Sequence, residues 1–320
     1  MQFQILRRLA YGGMAEVLLG MVNGSGKSLW VIKRILPHLR SQSDCLAMFA
    51  AEGRIGLRLQ HQNIVRTYAT IPEPKAGPAI VLEYIAGSTL AELLDAQARQ
   101  GSRLPLAEVA TVGRDIAQAL AYVHGEGRAG ESIVHRDVTP SNIMVAEGGH
   151  VKLIDFGVAK PKDRIDTLWP GCIKGKVAYM SPQQALGEPV DARTDQYALA
   201  LVLWECLAGE PCFVRGNHFQ TLTQVVHGHT RDLCVFRPDL PKSFLQALKR
   251  ALELDPADRF DTMSQFAESL REFVGDAVAN RRTLAQRRAN TRRAQLAPGR
   301  DGAAITRPLA LSLPGRAAQR

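Results

Sequence analysis

The segment HRDVTPSN at residues 135–142 is the most informative part of this sequence, together with VKLIDFG at residues 151–157. The first segment contains Asp137, whose carboxylate can accept the proton of a hydroxyl group, and Asn142, whose amide oxygen can bind a divalent cation. The second segment contains Asp155, a carboxylate ligand for a metal, thirteen residues after Asn142. This order and spacing are typical of a site that transfers a phosphoryl group.

Two charged residues nearer the N-terminus fit the same chemistry. Lys33 ends the strand-like run WVIK, and Glu52 lies on the next predicted helix. A lysine held between a helix carboxylate and nucleotide phosphates places one positive charge at a defined position. The segment LAYGGMAEV at residues 9–17 can form a hairpin whose N–H groups approach phosphates. A plain Gly-Gly hairpin and solvated surface charges are the alternative interpretation.

With these motifs the chain resembles the protein serine/threonine kinases, most closely their bacterial branch. The resemblance runs from residue 3 to about residue 273 and includes YMSPQQ (179–184), DARTDQYALALVLWECLAG (191–209) and DPADRF (255–260). It implies an α+β, two-lobed protein-kinase-like fold with a small β-rich N-lobe and a larger α-helical C-lobe. It also implies ATP and Mg²⁺ as cofactors and proteins as substrates.

The resemblance assigns chemical roles to five residues. Lys33 becomes the lysine that binds the α- and β-phosphates, and Glu52 becomes its helix partner. Asp137 becomes the catalytic base, while Asn142 and Asp155 become the metal ligands. The preference for serine and threonine over tyrosine also rests on the resemblance, because HRDVTPSN lacks the arginine-containing pattern of tyrosine kinases.

The nucleotide site follows from the same alignment of motifs. Leu82 is expected to be the gatekeeper, residues 83–85 (Glu83 to Ile85) the hinge, and Val31 and Met144 the apolar residues on the two sides of the adenine ring. The remaining predicted contacts lie in the glycine-rich hairpin and comprise Ala10, Tyr11, Gly12, Gly13 and Val17. That these are simply core residues is compatible with this assignment, because a pocket wall is core until a ligand enters.

Several residues depart from the family pattern. Ala10 and Ala15 stand where the hairpin usually has its first and third glycines. The lysine usually found two residues after the catalytic aspartate is Thr139, and the threonine of the substrate-docking segment is Lys176. The two side-chain types are therefore exchanged. We expect Lys176 to supply the missing cation with Thr139 as its hydrogen-bonding neighbour; the alternative is that Lys176 points to solvent or selects acidic substrates.

Two further pairings are expected from the resemblance. Asp195 corresponds to the aspartate that holds the backbone of the catalytic loop. Gln183 replaces the glutamate of the APE-like motif, so its contact with Arg259 is predicted to be a hydrogen bond to a neutral acceptor.

The segment between Asp155 and Ser181 contains one Ser/Thr hydroxyl, that of Thr167. Its phosphate would pair with Arg136, so Thr167 is the candidate site of self-phosphorylation. A passive loop threonine is the alternative.

The order of predicted elements supports two lobes. Strand-like runs are predicted at residues 3–10, 16–21, 29–35, 65–70 and 79–84, with a helix at about 44–59. Long amphipathic helices follow. We assign residues 1–273 to a kinase domain, with an N-lobe at about 1–86 and a C-lobe at about 87–273. Residues 274–320 are an Arg-rich tail, predicted to be disordered or partly helical and without a compact fold.

The charge is concentrated in the tail. Residues 281–320 contain ten arginines and one acid, Asp301, so their formal charge equals the +9 of the whole chain. A tail of this kind can contact nucleic acid or anionic lipid in a salt-dependent way. A solvated, unattached tail is the interpretation that we favour over such a contact.

The five cysteines are too scattered for a disulfide framework, and the longest apolar run, residues 197–208, is too short for a membrane span. A cytoplasmic protein without a transmembrane segment is therefore expected.

An active protein serine/threonine kinase is the leading hypothesis for the function. A pseudokinase that signals by binding nucleotide, motivated by Ala10, Ala15 and Thr139, and a binding module based on the tail are the other two.

Overall fold

The computed structural model describes residues 3–22, 28–72, 77–125, 132–156, 176–213 and 217–295. These residues divide into two compact units. The N-terminal unit contains the chain up to Gln60 together with Val65–Ile85. The C-terminal unit contains His61–Ile64 and the described residues from Ala86 to Gln295.

The N-terminal unit is a five-stranded antiparallel sheet with one helix. The sheet has the order β1-β2-β3-β5-β4. Its strands are β1 (Phe3–Tyr11), β2 (Ala15–Val22), β3 (Leu29–Ile35), β4 (Thr67–Ile71) and β5 (Ala79–Glu83), and helix α1 (Ser43–Arg58) joins β3 to β4. The predicted strands and helix are confirmed to within two residues, because alternating apolar positions bounded by turn residues are a strong local signal.

Helix α1 lies close to β4 because two of its residues are glycines. A Cβ atom on Gly53 would lie 2.6 Å from Cγ2 of Thr70, and one on Gly56 would overlap the hydroxyl of Thr67. The absence of these side chains lets the helix axis approach the strand. This packing sets the position of Glu52, the residue before Gly53.

The C-terminal unit is mainly helical and has a small three-stranded sheet. Its helices are α2 (Leu90–Arg99), α3 (Leu106–Val123), α4 (Pro182–Leu186), α5 (Arg193–Ala208), α6 (His218–Val226), α7 (Leu233–Phe236), α8 (Lys242–Ala251), α9 (Met263–Ser269) and α10 (Ala277–Gln295). The sheet has the order β6-β7-β8, with β6 (Gly87–Thr89), β7 (Ile143–Ala146) and β8 (Val151–Leu153). Helix α5 runs through the core, with its residues from Thr194 to Ala208 buried. Among the described residues, no helix is both long and apolar enough to span a bilayer.

Helix α10 corrects one prediction about the tail. The tail after Phe273 is predicted to be disordered or partly helical and without a compact fold, because aromatic and β-branched residues become scarce there. Residues 277–295 do form a helix, but this helix is packed on the C-terminal unit. The helix packs against α2, α3, β6 and β7. Arg281 and Arg287 pair with carboxylates of α3, and Leu284 is fully buried. The rest of the tail, residues 296–320, lies outside the described residues.

Candidate active site

The N-terminal unit contains the first group of predicted site residues, a lysine–carboxylate pair. Lys33 lies on β3 and Glu52 on α1. The Nζ atom of Lys33 donates a hydrogen bond to Oε1 of Glu52 at 2.6 Å. The two side chains are 12% and 15% exposed, so the pair is largely shielded from water and salt. The structure thus brings together the two residues that the family pattern pairs.

The predicted nucleotide residues of the N-terminal unit share one face of its sheet. Val17 is paired across the strands with Ala10 on one side and with Lys33 on the other. Val31, two residues from Lys33 on the same strand, is paired with Leu82. Since residues two apart on a strand point to the same side, these five residues form one surface. The three larger apolar members, Val17, Val31 and Leu82, are only half-buried, as a surface that receives a flat ligand requires.

The hairpin between β1 and β2 closes tightly. The backbone N–H of Gly12 donates to the carbonyl oxygen of Ala15 at 2.9 Å. Tyr11, Gly12 and Gly13 are exposed. At the end of β5, Glu83 is held by the residue before β4, because its N–H donates to the carbonyl of Arg66 and its carboxylate accepts from the N–H of Arg66. Ile85 is half-buried at the end of the N-terminal unit.

The C-terminal unit contains a second group of predicted site residues, in the predicted catalytic loop. Its backbone is held by Asp195, which lies fully buried on α5. The carboxylate of Asp195 accepts hydrogen bonds from the N–H groups of His135 and Arg136, both at 2.8 Å, and contacts Nε2 of His124 at 2.8 Å. Burial alone would raise the pKa of Asp195, but these hydrogen bonds outweigh it and hold the pKa below its usual value. The predicted contact of Asp195 with the loop backbone is confirmed.

Two residues of the site have backbone conformations that are rare for residues other than glycine. Arg136 has φ 63° and Asp155 has φ 54°. Such conformations persist where the surroundings impose them, and they concentrate at functional sites. At Arg136 the restraint is the hydrogen bond of its own N–H to Asp195. The ring of His135 packs on that of Phe156, the residue after Asp155, at 4.9 Å between centroids.

The predicted cation lies beside the predicted base. The Nζ atom of Lys176 donates to Oδ2 of Asp137 at 2.5 Å. Asp137 is 8% exposed and Lys176 is 40% exposed at the side chain. A small pocket beside the pair is lined by these two residues together with Thr139 and Tyr179. Lys176 therefore contacts Asp137, as expected from the sequence.

The predicted hydrogen bond between Thr139 and Lys176 is wrong. The hydroxyl of Thr139 is buried and has no hydrogen-bond partner among the described residues. Lys176 donates to the carboxylate of Asp137, a stronger acceptor than a neutral hydroxyl. Thr139 therefore contributes a small side chain to the pocket and leaves room for the lysine.

Asn142 and Asp155 provide the donors that a magnesium ion prefers. The Nδ2 group of Asn142 donates to the carbonyl of Asp137 at 2.8 Å, which leaves the amide oxygen as the ligand atom. The N–H of Ile154 donates to the carbonyl of Asn142 at 2.8 Å, so the backbone beside Asp155 is joined to that of Asn142. One amide oxygen and one carboxylate fit Mg²⁺, which takes few protein ligands and completes its shell with phosphates and water. Met144, the predicted contact of the adenine ring, is half-buried on β7 two residues further.

The contact between Gln183 and Arg259 is confirmed as a hydrogen bond to a neutral acceptor. Nη2 of Arg259 donates to Oε1 of Gln183 at 2.9 Å. Arg259 is 1% exposed and also donates to the carbonyls of Glu253 and Arg193. Burial lowers the pKa of Arg259 to about 10, because no carboxylate compensates fully for its loss of water.

Sequence reasoning missed three supporting side chains. His124, at the end of α3, contacts Asp195 and carries no local signal of that role. Tyr179 donates a hydrogen bond to Glu205 of α5. Gln184 donates to the carbonyl of Arg136 and also caps α4 with Ser181. The S-x-x-Q pattern could have identified the cap but not the contact with the catalytic loop.

Thr167, the predicted phosphorylation site, and the glycine after Phe156 lie outside the described residues.

Comparison with known proteins gives a consistent result. The model of the protein kinase domain family matches residues 3–270. The tyrosine-protein kinase MasK of Myxococcus xanthus is 36% identical over 87% of this chain and 44% of that protein. The serine/threonine-protein kinase PknB of Mycobacterium leprae is 30% identical over 82% of this chain and 41% of that protein. The chain therefore spans less than half the length of these two relatives.

Solved structures agree with this result. The crystal structure of the PknI kinase domain of Mycobacterium tuberculosis is 28% identical, with a TM-score of 0.63, and the match covers 85% of this chain and 96% of that chain. The fold predicted from the sequence is thus confirmed: a β-rich N-lobe and a helical C-lobe, which are the two compact units. Because the family model matches most of this chain, from residue 3 to residue 270, the chain belongs to the protein kinase family.

Proposed function

We propose that this chain transfers the γ-phosphoryl group of ATP to serine and threonine hydroxyls of proteins. The observation that carries the proposal is the arrangement around Asp137. Its carboxylate lies 2.5 Å from the ammonium group of Lys176, and its loop is fixed by the buried Asp195. A carboxylate held in this way can accept the proton of an acceptor hydroxyl while a neighbouring cation balances the developing negative charge.

The other site residues have positioning roles in this proposal. Lys33, kept in place by Glu52, binds the α- and β-phosphates of ATP. Val17, Val31 and Leu82 provide an apolar surface for the adenine ring on the same face of the sheet. Asn142 and Asp155 would hold Mg²⁺, which neutralises phosphate charge when it is bound. Because phosphoryl transfer needs little covalent chemistry from the protein, positioning and charge account for most of the rate.

Lys176 is the cation nearest the transferring group in this proposal. The family pattern has a lysine two residues after the base, and that position here is the buried Thr139. Lys176 approaches Asp137 from the segment before α4. With 40% of its side chain exposed, its ammonium group is accessible to a phosphate. The exchange therefore keeps one cation at the site while changing the segment that supplies it.

The chemical class of the acceptor has two candidates. Serine and threonine are favoured by the loop HRDVTPSN and by the likeness to PknB, whose name specifies serine/threonine. Tyrosine is the second candidate, because the relative with 36% identity is named a tyrosine-protein kinase. The two candidates share the same base and metal ligands, so the phosphorylated residue type separates them.

Activity rather than a pseudokinase role is supported by the residues present. The side chains that the reaction needs are all present, at Lys33, Glu52, Asp137, Asn142 and Asp155.

Self-phosphorylation at Thr167, with its phosphate on Arg136, is proposed as part of the same function. A cytoplasmic location is proposed from the cysteines, of which Cys45, Cys206, Cys212 and Cys234 are free thiols.

The test is phosphoryl transfer by the purified chain. The protein is incubated with labelled ATP and Mg²⁺, and the phosphorylated residues are identified by mass spectrometry, with the Asp137→Asn variant as the matched control. We expect phosphoserine and phosphothreonine with the parent protein and none with the variant. Phosphotyrosine alone would favour the second acceptor, and equal labelling by both proteins would reject the proposal.

A further inference from the structure

Helix α10 is attached to the C-terminal unit mainly through charged and polar contacts. Arg281 donates to Asp115 at 2.8 Å, and Arg287 donates to Glu108 at 2.8 Å. The carboxylates of Asp115 and Glu108 are only 3% and 4% exposed, so both are buried charges that require a partner. Asp115 also pairs with Arg114 of its own helix at 2.7 Å, whereas Glu108 pairs with Arg287 of α10. Asn280 adds hydrogen bonds to the carbonyl of Ala107 and to the hydroxyl of Thr111. Helix α3 therefore presents a surface that fits this particular helix.

The opposite side of the contact is the turn between β7 and β8. Gly149 in this turn has φ +77°, and a Cβ atom on it would overlap the carbonyl oxygen of Arg281. The turn and the backbone of α10 are therefore in direct contact. Glu147, in the same turn, pairs with Arg288 and Arg292, each at 3.5 Å. Helix α10 is thus packed between α3 and this turn.

The same turn connects the two metal-ligand positions. Asn142 immediately precedes β7, and Asp155 follows β8 after one residue. The strands are paired along their length, with Ile143 opposite Leu153 and Val145 opposite Val151. A shift of the turn would therefore be transmitted to both ends of the hairpin. A displacement of a fraction of an ångström at the ligands is enough to affect metal binding.

We propose that α10 is a positioning helix for the metal site: by docking on α3 it holds the β7–β8 turn, and thereby the relative position of Asn142 and Asp155. This inference rests on the proposed function for the identity of the metal ligands. It gives the arginines that contact the C-terminal unit a role within the catalytic unit, in addition to any contact of the tail with other molecules. Arg281, Arg287, Arg288 and Arg292 are the side chains that make the attachment.

The first test uses a matched pair of glycine substitutions in the full chain. Gly149→Ala introduces a methyl group against α10. Gly101→Ala introduces the same methyl group at φ +63° with no atom within 4 Å, so it reproduces the backbone strain without the clash. The affinity for ADP is measured by titration calorimetry with Mg²⁺ and again in EDTA. The ratio of the two affinities isolates the contribution of the metal.

We expect the gain in affinity from Mg²⁺ to fall about tenfold in Gly149→Ala, as for substitutions that reposition metal ligands. The affinity in EDTA should stay within about twofold of the parent, as should both affinities in Gly101→Ala. A general loss of structure would lower both affinities together. An unchanged gain from Mg²⁺ in Gly149→Ala, with the parent showing that gain, would overturn the proposal.

The second test uses charge exchange. Arg287→Glu places a carboxylate against Glu108 and should detach the helix, whereas Arg282→Glu makes the same charge change at an exposed position of α10. We expect the gain from Mg²⁺ to fall in Arg287→Glu, to remain in Arg282→Glu and to recover when Glu108→Arg is added to Arg287→Glu. Equal behaviour of Arg287→Glu and Arg282→Glu would contradict the proposal. Since ADP binding needs no turnover, these outcomes are separate from the presence of kinase activity.

Discussion

The two lysine–carboxylate pairs of this protein differ in their surroundings. Lys33 and Glu52 lie 2.6 Å apart and are both nearly buried, whereas Lys176 is 40% exposed beside the nearly buried Asp137 at 2.5 Å. A pair that is shielded on both sides fixes the position of a charge. A pair with one exposed member leaves a cation accessible to a substrate. Although the two distances are similar, the tasks differ: the pair of Lys33 and Glu52 holds the nucleotide, and the pair of Lys176 and Asp137 balances charge at the reacting group.

The carboxylates give the largest expected difference between the pairs. If Asp137 is the base, Asp137→Asn should lower kcat by about 10²–10⁴-fold. Glu52→Gln should lower it by only about tenfold, because the amide oxygen can still accept from Lys33. Steady-state kinetics with a protein substrate, on variants shown by circular dichroism to be folded, measures both. Equal losses in the two variants would mean that the pairs do not have separate tasks.

The lysines should differ in which kinetic constant they change. Lys33→Met should raise KM for ATP and also lower kcat, because its proposed contact is with the phosphates of ATP. Lys176→Ala should lower kcat by about 10²–10³-fold with little change in KM for ATP, as expected for a donor that acts mainly in the transition state. The comparison fails if Lys176→Ala mainly raises KM for ATP.

The smallest expected effect concerns a third pair, Gln183 and Arg259, in which the carboxylate of the family pattern is absent. Gln183→Glu should stabilise the fold by about 1 kcal/mol, because a hydrogen bond to a charged acceptor is stronger than one to an amide. Part of that gain is offset because the Nε2 group of Gln183, which donates to the carbonyl of Leu254 at 2.9 Å, is lost. Chemical denaturation measures the difference, with Gln246→Glu as a control for added surface charge. A less stable Gln183→Glu protein would show that the lost donor dominates.

Much of the fold was predictable because its signals are local. The strands of the N-terminal sheet follow from alternation of apolar residues, and α3 follows from apolar residues three and four apart, which are all buried. Helix α10 was not predictable in this way. Its partners Glu108, Asp115 and Glu147 are more than a hundred residues away in sequence, and Leu284 is the one fully buried apolar side chain among those that the structure describes in this helix. A helix attached by distant charges has no hydrophobic pattern to reveal it.

The predicted site likewise contains contacts that follow from sequence patterns and contacts that only the folded chain shows. The pairing of Lys33 with Glu52 follows from the family pattern, and the approach of Lys176 to Asp137 follows from two departures considered together. The absence of a hydrogen bond from the Thr139 hydroxyl to the described residues could not be obtained in this way, because the packing of the folded chain decides which groups lie within its reach. His124 was missed for a similar reason, since only the fold brings it to Asp195.

The most direct test of the role of Lys176 is a double-mutant cycle on the two exchanged positions. The single variant Lys176→Thr removes the cation, and the double variant Thr139→Lys with Lys176→Thr restores it at the position that the family uses. We predict that kcat falls by about 10²–10³-fold in the single variant and recovers most of that loss in the double variant. Turnover of the single variant within about threefold of the parent, or no recovery in a folded double variant, would contradict the assignment of Lys176 as the catalytic cation.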